Sequence, residues 1–165
     1  MLKKSFPFYH QPDSKDCGPT CLKIIAKHYG KTLNIQTLRS LSETTREGSN
    51  LLTLSEAAEK IGFRTLGVKL SIKKLEEAPL PCILHWNNNH YVVLYKATKN
   101  KFYVSDPAHG LLEYNEEDFL KFWIGNNATT ETEEGIALLL EPTPNFYKNE
   151  WNSEDKKEFG FALLT

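Results

Sequence analysis

The hydrophobic period of this chain is helical through its first sixty residues and alternates over most of the rest, and that change restricts the fold more than any single residue does. Through Ile61 the apolar positions fall at helical spacing, whereas from Pro81 onward they alternate. The two patterns belong to different elements, because a helix brings i and i+4 to one face and a strand brings i and i+2 there. The spacing predicts helices at 17–29, 35–41 (Leu38 and Leu41 inward) and 54–61, the first closed by Gly30 and the last by Gly62. Thr53-Leu-Ser-Glu56 reads as a capping box for the third. Arg64 to Leu70 then reads as a strand, and Ser71 caps a short helix to Glu77. Cys82–Trp86, His90–Lys96, Lys101–Asp106 and Leu111–Tyr114 are rich in β-branched and aromatic residues and are separated by Asn, Lys and Gly turns, an antiparallel meander. Asn115 caps a helix with three acids in its first turn and Phe119, Phe122 and Trp123 as its buried face. Gly135 to Glu141, nearly all apolar, reads as a central strand. Helices first and an antiparallel sheet second make an α+β domain whose natural cleft is the seam between the halves.

At 165 residues the chain holds about one domain, large enough to fold without staples. Three cysteines, an odd number unevenly spaced, argue against a disulfide framework and for a reducing compartment. Twenty basic and 21 acidic residues leave a net charge of −1 with no basic block, so nucleic acid is not an expected partner. The opening Met-Leu-Lys-Lys-Ser-Phe-Pro is no signal peptide, and no apolar run reaches the roughly 18 residues that span a bilayer. The folded domain is expected within residues 1–141. Residues 142–165, with two prolines and a Ser-Glu-Asp-Lys-Lys-Glu block, read as a charged tail or linker. The tail's apolar end, Phe159-Gly-Phe-Ala-Leu-Leu, stops as if a longer protein had been cut.

Chemistry concentrates between Gln11 and Tyr29. A polar loop leads to Asp16, a good N-cap, and puts Cys17 in the first turn of a helix. Free backbone N–H groups and the positive end of the helix dipole favour an anion there, which biases a thiol toward thiolate. Gly18 and Pro19 keep that turn slim, as an approaching carbonyl requires. Gln11, in the incoming loop, is placed to donate to an oxyanion. Cys21, one turn on and deeper in the apolar stripe, reads as a core residue.

A thiol nucleophile needs a base and an orienting group. His90 opens a strand after three asparagines, where a rigid backbone can hold an imidazole at a cleft. Asp106 ends the next strand, and Pro107 stops it. With a three-residue loop between the strands, Asp106 falls level with Val92 and on the face of His90. An even loop would turn it to the other face.

The residues Gln11, Asp16, Cys17, Gly18, Cys21 and Leu22, with His90-Tyr-Val-Val and Asp106-Pro107-Ala108, resemble the two motifs of the double-glycine leader peptidases, the papain-like cysteine protease domains of bacteriocin-exporting ABC transporters. The resemblance runs over about residues 6–141. It implies a papain-like fold with Cys17 as nucleophile, His90 as base and then acid, Asp106 as orienter and Gln11 as oxyanion donor, with no cofactor in the peptidase domain. It also implies a precursor peptide cut after a Gly-Gly leader motif. Its remaining partners would be transmembrane and nucleotide-binding domains of the same transporter, the latter using ATP, with the peptidase on the cytoplasmic side of the bacterial plasma membrane. The alternative within this likeness is a non-catalytic leader-binding module.

The remaining cysteines and histidines fit a zinc site poorly: Cys82 and His85 would face opposite sides of one strand, and no paired-knuckle spacing appears. His10 and His109 read as loop residues, and His28 ends a helix where a cation is favourable.

Overall fold

The computed structural model describes residues 5–44, 48–125 and 133–148. The helical segment holds α1 (Cys17–His28), preceded by a single 3-10 turn at Ser14–Asp16, then α2 (Ile35–Leu41) and α3 (Leu51–Lys60). After it come β1 (Phe63–Ser71), α4 (Ile72–Glu77), β2 (Cys82–Trp86), β3 (His90–Thr98), β4 (Lys101–Asp106), β5 (Gly110–Tyr114), α5 (Glu116–Trp123), β6 (Glu134–Pro142) and α6 (Pro144–Lys148). Among the described residues six strands form one antiparallel sheet in the order β1-β6-β2-β3-β4-β5, so the apolar β6 is interior and β2 to β5 form the expected meander.

Strand alternation divides the interior into two cores. Ile83, Tyr91, Val93, Leu138 and Leu140 face α1, α2 and α3. Their neighbours Cys82, Leu84, Val92, Leu94 and Ala137 face the other way, onto α4 and α5. The sheet is thus covered on both faces, which explains why β2 and the start of β3 read as continuous apolar runs rather than clean alternation.

The caps agree with the sequence at Ser71 and Asn115, whose side chains accept from the Lys74 and Asp118 backbone N–H groups, and Asn34 caps α2 by accepting from Gln36 N. The third helix begins earlier than Thr53-Leu-Ser-Glu56 suggested. Asn50 is its cap and exchanges side-chain hydrogen bonds with Thr53, which therefore sits at N3 rather than N-cap. An apolar pair, Leu51 and Leu52, stands in the first turn and conceals that start from a reading by period. Phe122 was expected among the buried residues of α5 but is 39% exposed, and Leu120 takes its place in the core.

Packing continues past Pro142. Thr143 donates from its backbone and its hydroxyl to Gly62 O (2.9 and 2.6 Å), and Phe146 of α6 is fully buried against Phe63. The charged block and apolar end assigned to the tail lie outside the described residues. Gly62 has φ +110°, and a Cβ there would come within 2.4 Å of the Phe146 backbone. Gly62→Ala is therefore expected to cost about 2–4 kcal/mol, from the left-handed backbone and the overpacking together. The check is a urea titration, in which an unchanged midpoint would contradict this account of the junction.

Candidate active site

Cys17 is the first residue of α1 and is 6% exposed. The slimness of Gly18 serves packing, not an approaching substrate: a Cβ there would meet Ser49 Oγ at 2.4 Å and Leu54 Cδ2 at 2.7 Å, so α1 and the start of α3 close directly on each other. Asp16 holds the N-cap position but makes no capping hydrogen bond. Its carboxylate is fully buried and takes a two-pronged contact from Arg39 of α2, Nε to Oδ1 at 2.7 Å and Nη2 to Oδ2 at 2.6 Å. A buried carboxylate gains more from a guanidinium fork than from a neutral N–H, so the ion pair displaces the cap. The sequence does not single out Arg39, because its partner lies on a different element; the available signal was an acid directly ahead of a candidate nucleophile.

His90 and Asp106 meet, though by an unexpected route. The β3–β4 loop holds two residues, with Thr98 paired to Lys101, and that parity alone would have turned Asp106 away. A bulge at Tyr95 shifts the register, so that Leu94 pairs Val104 and Val93 pairs Ser105. Continuing this register sets Asp106 level with Val92 and on the face of His90. The bulged Tyr95 is held by Phe6, stacked on its ring at 4.2 Å, and Ser105 Oγ donates to Pro7 O (3.0 Å) beside it.

His90 Nε2 donates to Asp106 Oδ1 at 2.7 Å, and Ala108 N donates to the same oxygen at 2.9 Å. Burial pulls the pKa of His90 down, but hydrogen bonds to Asp106 and to Cys17, with the charges of both, outweigh it and raise the value to about 9. Burial likewise raises Asp106, and the His90 and Ala108 hydrogen bonds reverse this, leaving its pKa below the ordinary value. With Nε2 engaged by the carboxylate, Nδ1 is the ring nitrogen left for the sulfur.

Gln11 is tied in through its backbone, whose N–H donates to Pro107 O (2.9 Å) one residue beyond Asp106. Its side-chain Oε1 is buried with no hydrogen-bond partner among the described residues. Gln11, His90 and Asp106 line a cleft of about 600 Å³. The seam between the halves thus lies at the end of the sheet, where the loop entering α1 meets β3 and β4. The cleft wall is aromatic. Phe122 stacks on Trp86 (5.5 Å, 11° between planes), and Tyr114 packs against both. The sequence pattern places all three in core or strand positions, and the partial exposure of Phe122 and Tyr114 distinguishes them. A larger groove of about 950 Å³, lined by Phe6, Phe8 and Tyr95 among others, holds none of the four expected site residues, so size would have misplaced the site.

Cys21 and Cys82 are fully buried. Burial, then the charges of Cys17 and Asp106, holds the Cys21 thiol well above the usual range, and burial pushes Cys82 up to about 12. Cys82 faces the α5 side, while His85 shares the opposite face and stands beside Tyr91. His28 was expected as a helix-end cation; burial lowers its pKa instead.

Against this geometry the chain matches the Peptidase C39 family over residues 5–135. It is 37% identical over 122 residues to the lactococcin-G-processing and transport ATP-binding protein LagD of Lactococcus lactis subsp. lactis, covering 70% of this chain and 17% of that protein. It is 32% identical over 123 residues to the probable microcin-H47 secretion/processing ATP-binding protein MchF of Escherichia coli, covering 74% of this chain and 18% of that protein. The chain therefore spans less than a fifth of these relatives. Among solved structures it resembles a double glycine motif protease from an AMS/PCAT transporter in complex with the leader peptide, with TM-score 0.74, 30% identity, and 83% of this chain and 91% of that one covered. The peptidase domain of Streptococcus ComA matches with TM-score 0.74 and 31% identity, over 84% of this chain and 100% of that one. Helices packed on an antiparallel sheet are common to all three, the papain-like arrangement. The chain belongs to the Peptidase C39 family, and its homologues are the double-glycine leader peptidases.

Proposed function

We propose that this domain is a cysteine endopeptidase that cuts a precursor peptide after a Gly-Gly leader motif, using Cys17, His90, Asp106 and Gln11. The observation that carries this reading is the imidazole of His90, hydrogen-bonded to Asp106 at 2.7 Å and near enough to Cys17 for that thiol to help raise its pKa. His90 takes the thiol proton, and the thiolate attacks the peptide carbonyl carbon. Gln11, through its side-chain amide, and the Cys17 backbone N–H donate to the oxyanion. The imidazolium protonates the leaving amine as the C–N bond breaks, leaving a thioester. Water, deprotonated by the same imidazole, cleaves the thioester, releases the leader acid and returns the proton to sulfur. Asp106 keeps its charge throughout and holds the ring in one orientation.

The restriction to glycine fits the burial of the nucleophile. With Cys17 only 6% exposed, the scissile carbonyl must pass close over His90 and Gln11, and residues without side chains suit that passage. The double-glycine protease bound to its leader supports the same assignment. The relatives named for processing and transport support a place for the domain in a transporter, on the cytoplasmic side of the bacterial plasma membrane, with ATP used by another domain. Residues 142–165 would then lead toward the transmembrane part. Among the described residues no helix is long and apolar enough to cross a membrane.

The test is mass spectrometry of a synthetic Gly-Gly leader peptide after incubation with the protein and with a Cys17→Ala control. Cleavage after the second glycine only with the former supports the reading, and binding without cleavage would replace it with a leader-binding module. Gln11→Ala is expected to lower kcat by roughly 10²–10³-fold with little change in KM, because the amide acts on charge that develops in the transition state. An equal rise in KM would assign Gln11 to ground-state binding instead.

A further inference from the structure

The buried ion pair of Asp16 and Arg39 lies directly against the nucleophile in sequence and has no place in the chemistry above. Asp16 joins the 3-10 turn to α1 at φ −95° and ψ 8°, its N–H donates to Asp13 O (3.0 Å), and its side chain leaves the helix end uncapped. Withdrawing a carboxylate fully from water costs several kcal/mol, and apolar side chains hold a turn equally well. A guanidinium fork does what they do not: two parallel contacts fix the carboxylate in position and in plane. Arg39 is itself oriented by Gln36, whose Oε1 accepts from Nη1 at 3.0 Å. The second consequence is electrostatic. An acid one peptide bond from a thiolate opposes its charge unless a cation stands on it.

We propose that the Asp16–Arg39 pair positions Cys17, locking the backbone that carries it and cancelling the negative charge beside its sulfur. This rests on the reading of Cys17 as the nucleophile. The pair touches no substrate in this account, and both residues act through Cys17. Among the described residues, His90 and Tyr91 of β3 and Cys21 of α1 couple electrostatically to Cys17, with Asp106 of β4 behind His90, while Lys15 precedes Asp16 in the 3-10 turn and the charge of Asp13 acts on Arg39. Where α3 closes on α1, at Gly18, it brings the uncharged Leu54, with Ser49 just ahead of it. Arg39 is thus the cation that α2 supplies to this corner.

The test uses the full 165-residue chain with Arg39→Met, Arg39→Lys and the double variant Asp16→Asn/Arg39→Met. Two readouts are taken: kcat and KM on the Gly-Gly leader peptide, and the rate of Cys17 alkylation by iodoacetamide as a function of pH. Arg39→Met is expected to lower kcat about 10²-fold with KM changed less than about threefold, because a displaced nucleophile loses rate rather than binding. Its alkylation midpoint should move up by about one pH unit, since Asp16 is left uncompensated. The double variant should return the midpoint to the wild-type position while kcat stays low. Arg39→Lys should keep the midpoint and lose about tenfold in kcat, because an ammonium cannot hold both oxygens in plane. If Arg39→Met lowers only the melting temperature and leaves kcat and midpoint unchanged, the pair is structural and the proposal is overturned. Should Arg39→Met fail to fold, Arg39→Lys decides, and wild-type kcat in it overturns the proposal. A wild-type protein that cleaves no leader peptide sinks the peptidase reading, while the alkylation midpoints still judge the pair.

Discussion

Cys17→Ala is expected to lose more than about 10⁴-fold in cleavage of a Gly-Gly leader peptide and to keep its fold. The expected loss is large because no second nucleophile is in reach: Cys21 is a turn deeper and fully buried, and Cys82 lies on the α5 side of the sheet with its thiol pushed up to about 12. The fold should survive because deleting one sulfur from the first turn of α1 removes little apolar area, and the Gly18–Leu54 contact and the Asp16–Arg39 pair remain to hold that turn. Cys21→Ala and Cys82→Ala make the contrast. Each opens a small hole in a packed core and should lower stability by about 1 kcal/mol while sparing kcat. Peptide cleavage and urea titrations of the three variants separate the cases. Full activity in Cys17→Ala, or its loss in a folded Cys82→Ala, would sink the assignment.

Local chemistry made most of the frame legible. Asn115 followed by three acids, Ser71 before a short apolar helix and the apolar run at 135–141 each imposed the element found, because the deciding contacts lie within a few residues. What escaped depended on distant partners. Asp16 has the chemistry of a cap, and only a guanidinium brought from another helix diverts it. Phe122 has the period of a core residue, and only its neighbour Trp86, from a strand, gives it a place on the cleft wall. Asp106 combines the two cases. Its face depends on loop length plus bulge count; the sequence does not mark the bulge at Tyr95, and a three-residue loop and a two-residue loop with one bulge reach the same register. The candidate site was legible because its residues sit at element ends, where identity and position can be read together, whereas the ion pair and aromatics around it belong to packing between elements.

Asp106 should set both the rate and the alkaline limit of activity, and two substitutions separate these effects. In Asp106→Ala the ring of His90 loses its orienting partner and Ala108 N loses its acceptor, so kcat is expected to fall by roughly 10³–10⁴-fold. In Asp106→Asn an amide oxygen can still accept from both donors, so orientation survives and the fall should be only about 10–10²-fold; what disappears is the negative charge. That charge matters for pH. Burial by itself lowers the pKa of His90, and the Asp106 and Cys17 contacts together lift it to about 9. In the proposed mechanism the imidazolium that protonates the leaving amine therefore persists to about pH 9 in the wild type, and kcat/KM should decline above it. Without the carboxylate, burial weighs more and the alkaline limb should move down by about two pH units. Stability follows with the same sign. A histidine pKa raised from 6.5 to about 9 stabilises the fold fully below pH 6.5, and this contribution is lost as pH rises through 9. With the ring 18% exposed, the loss is on the order of 3 kcal/mol. The lowered pKa of Asp106 acts in the opposite window, stabilising above its unfolded value and failing only in acid. Urea titrations of the wild type and Asp106→Asn at pH 6 and pH 10 isolate the first effect, because other groups titrating over that range cancel in the difference. Parallel stability curves for the two proteins, or an alkaline limb that stays in place in Asp106→Asn, would show that the carboxylate does not hold the proton on His90.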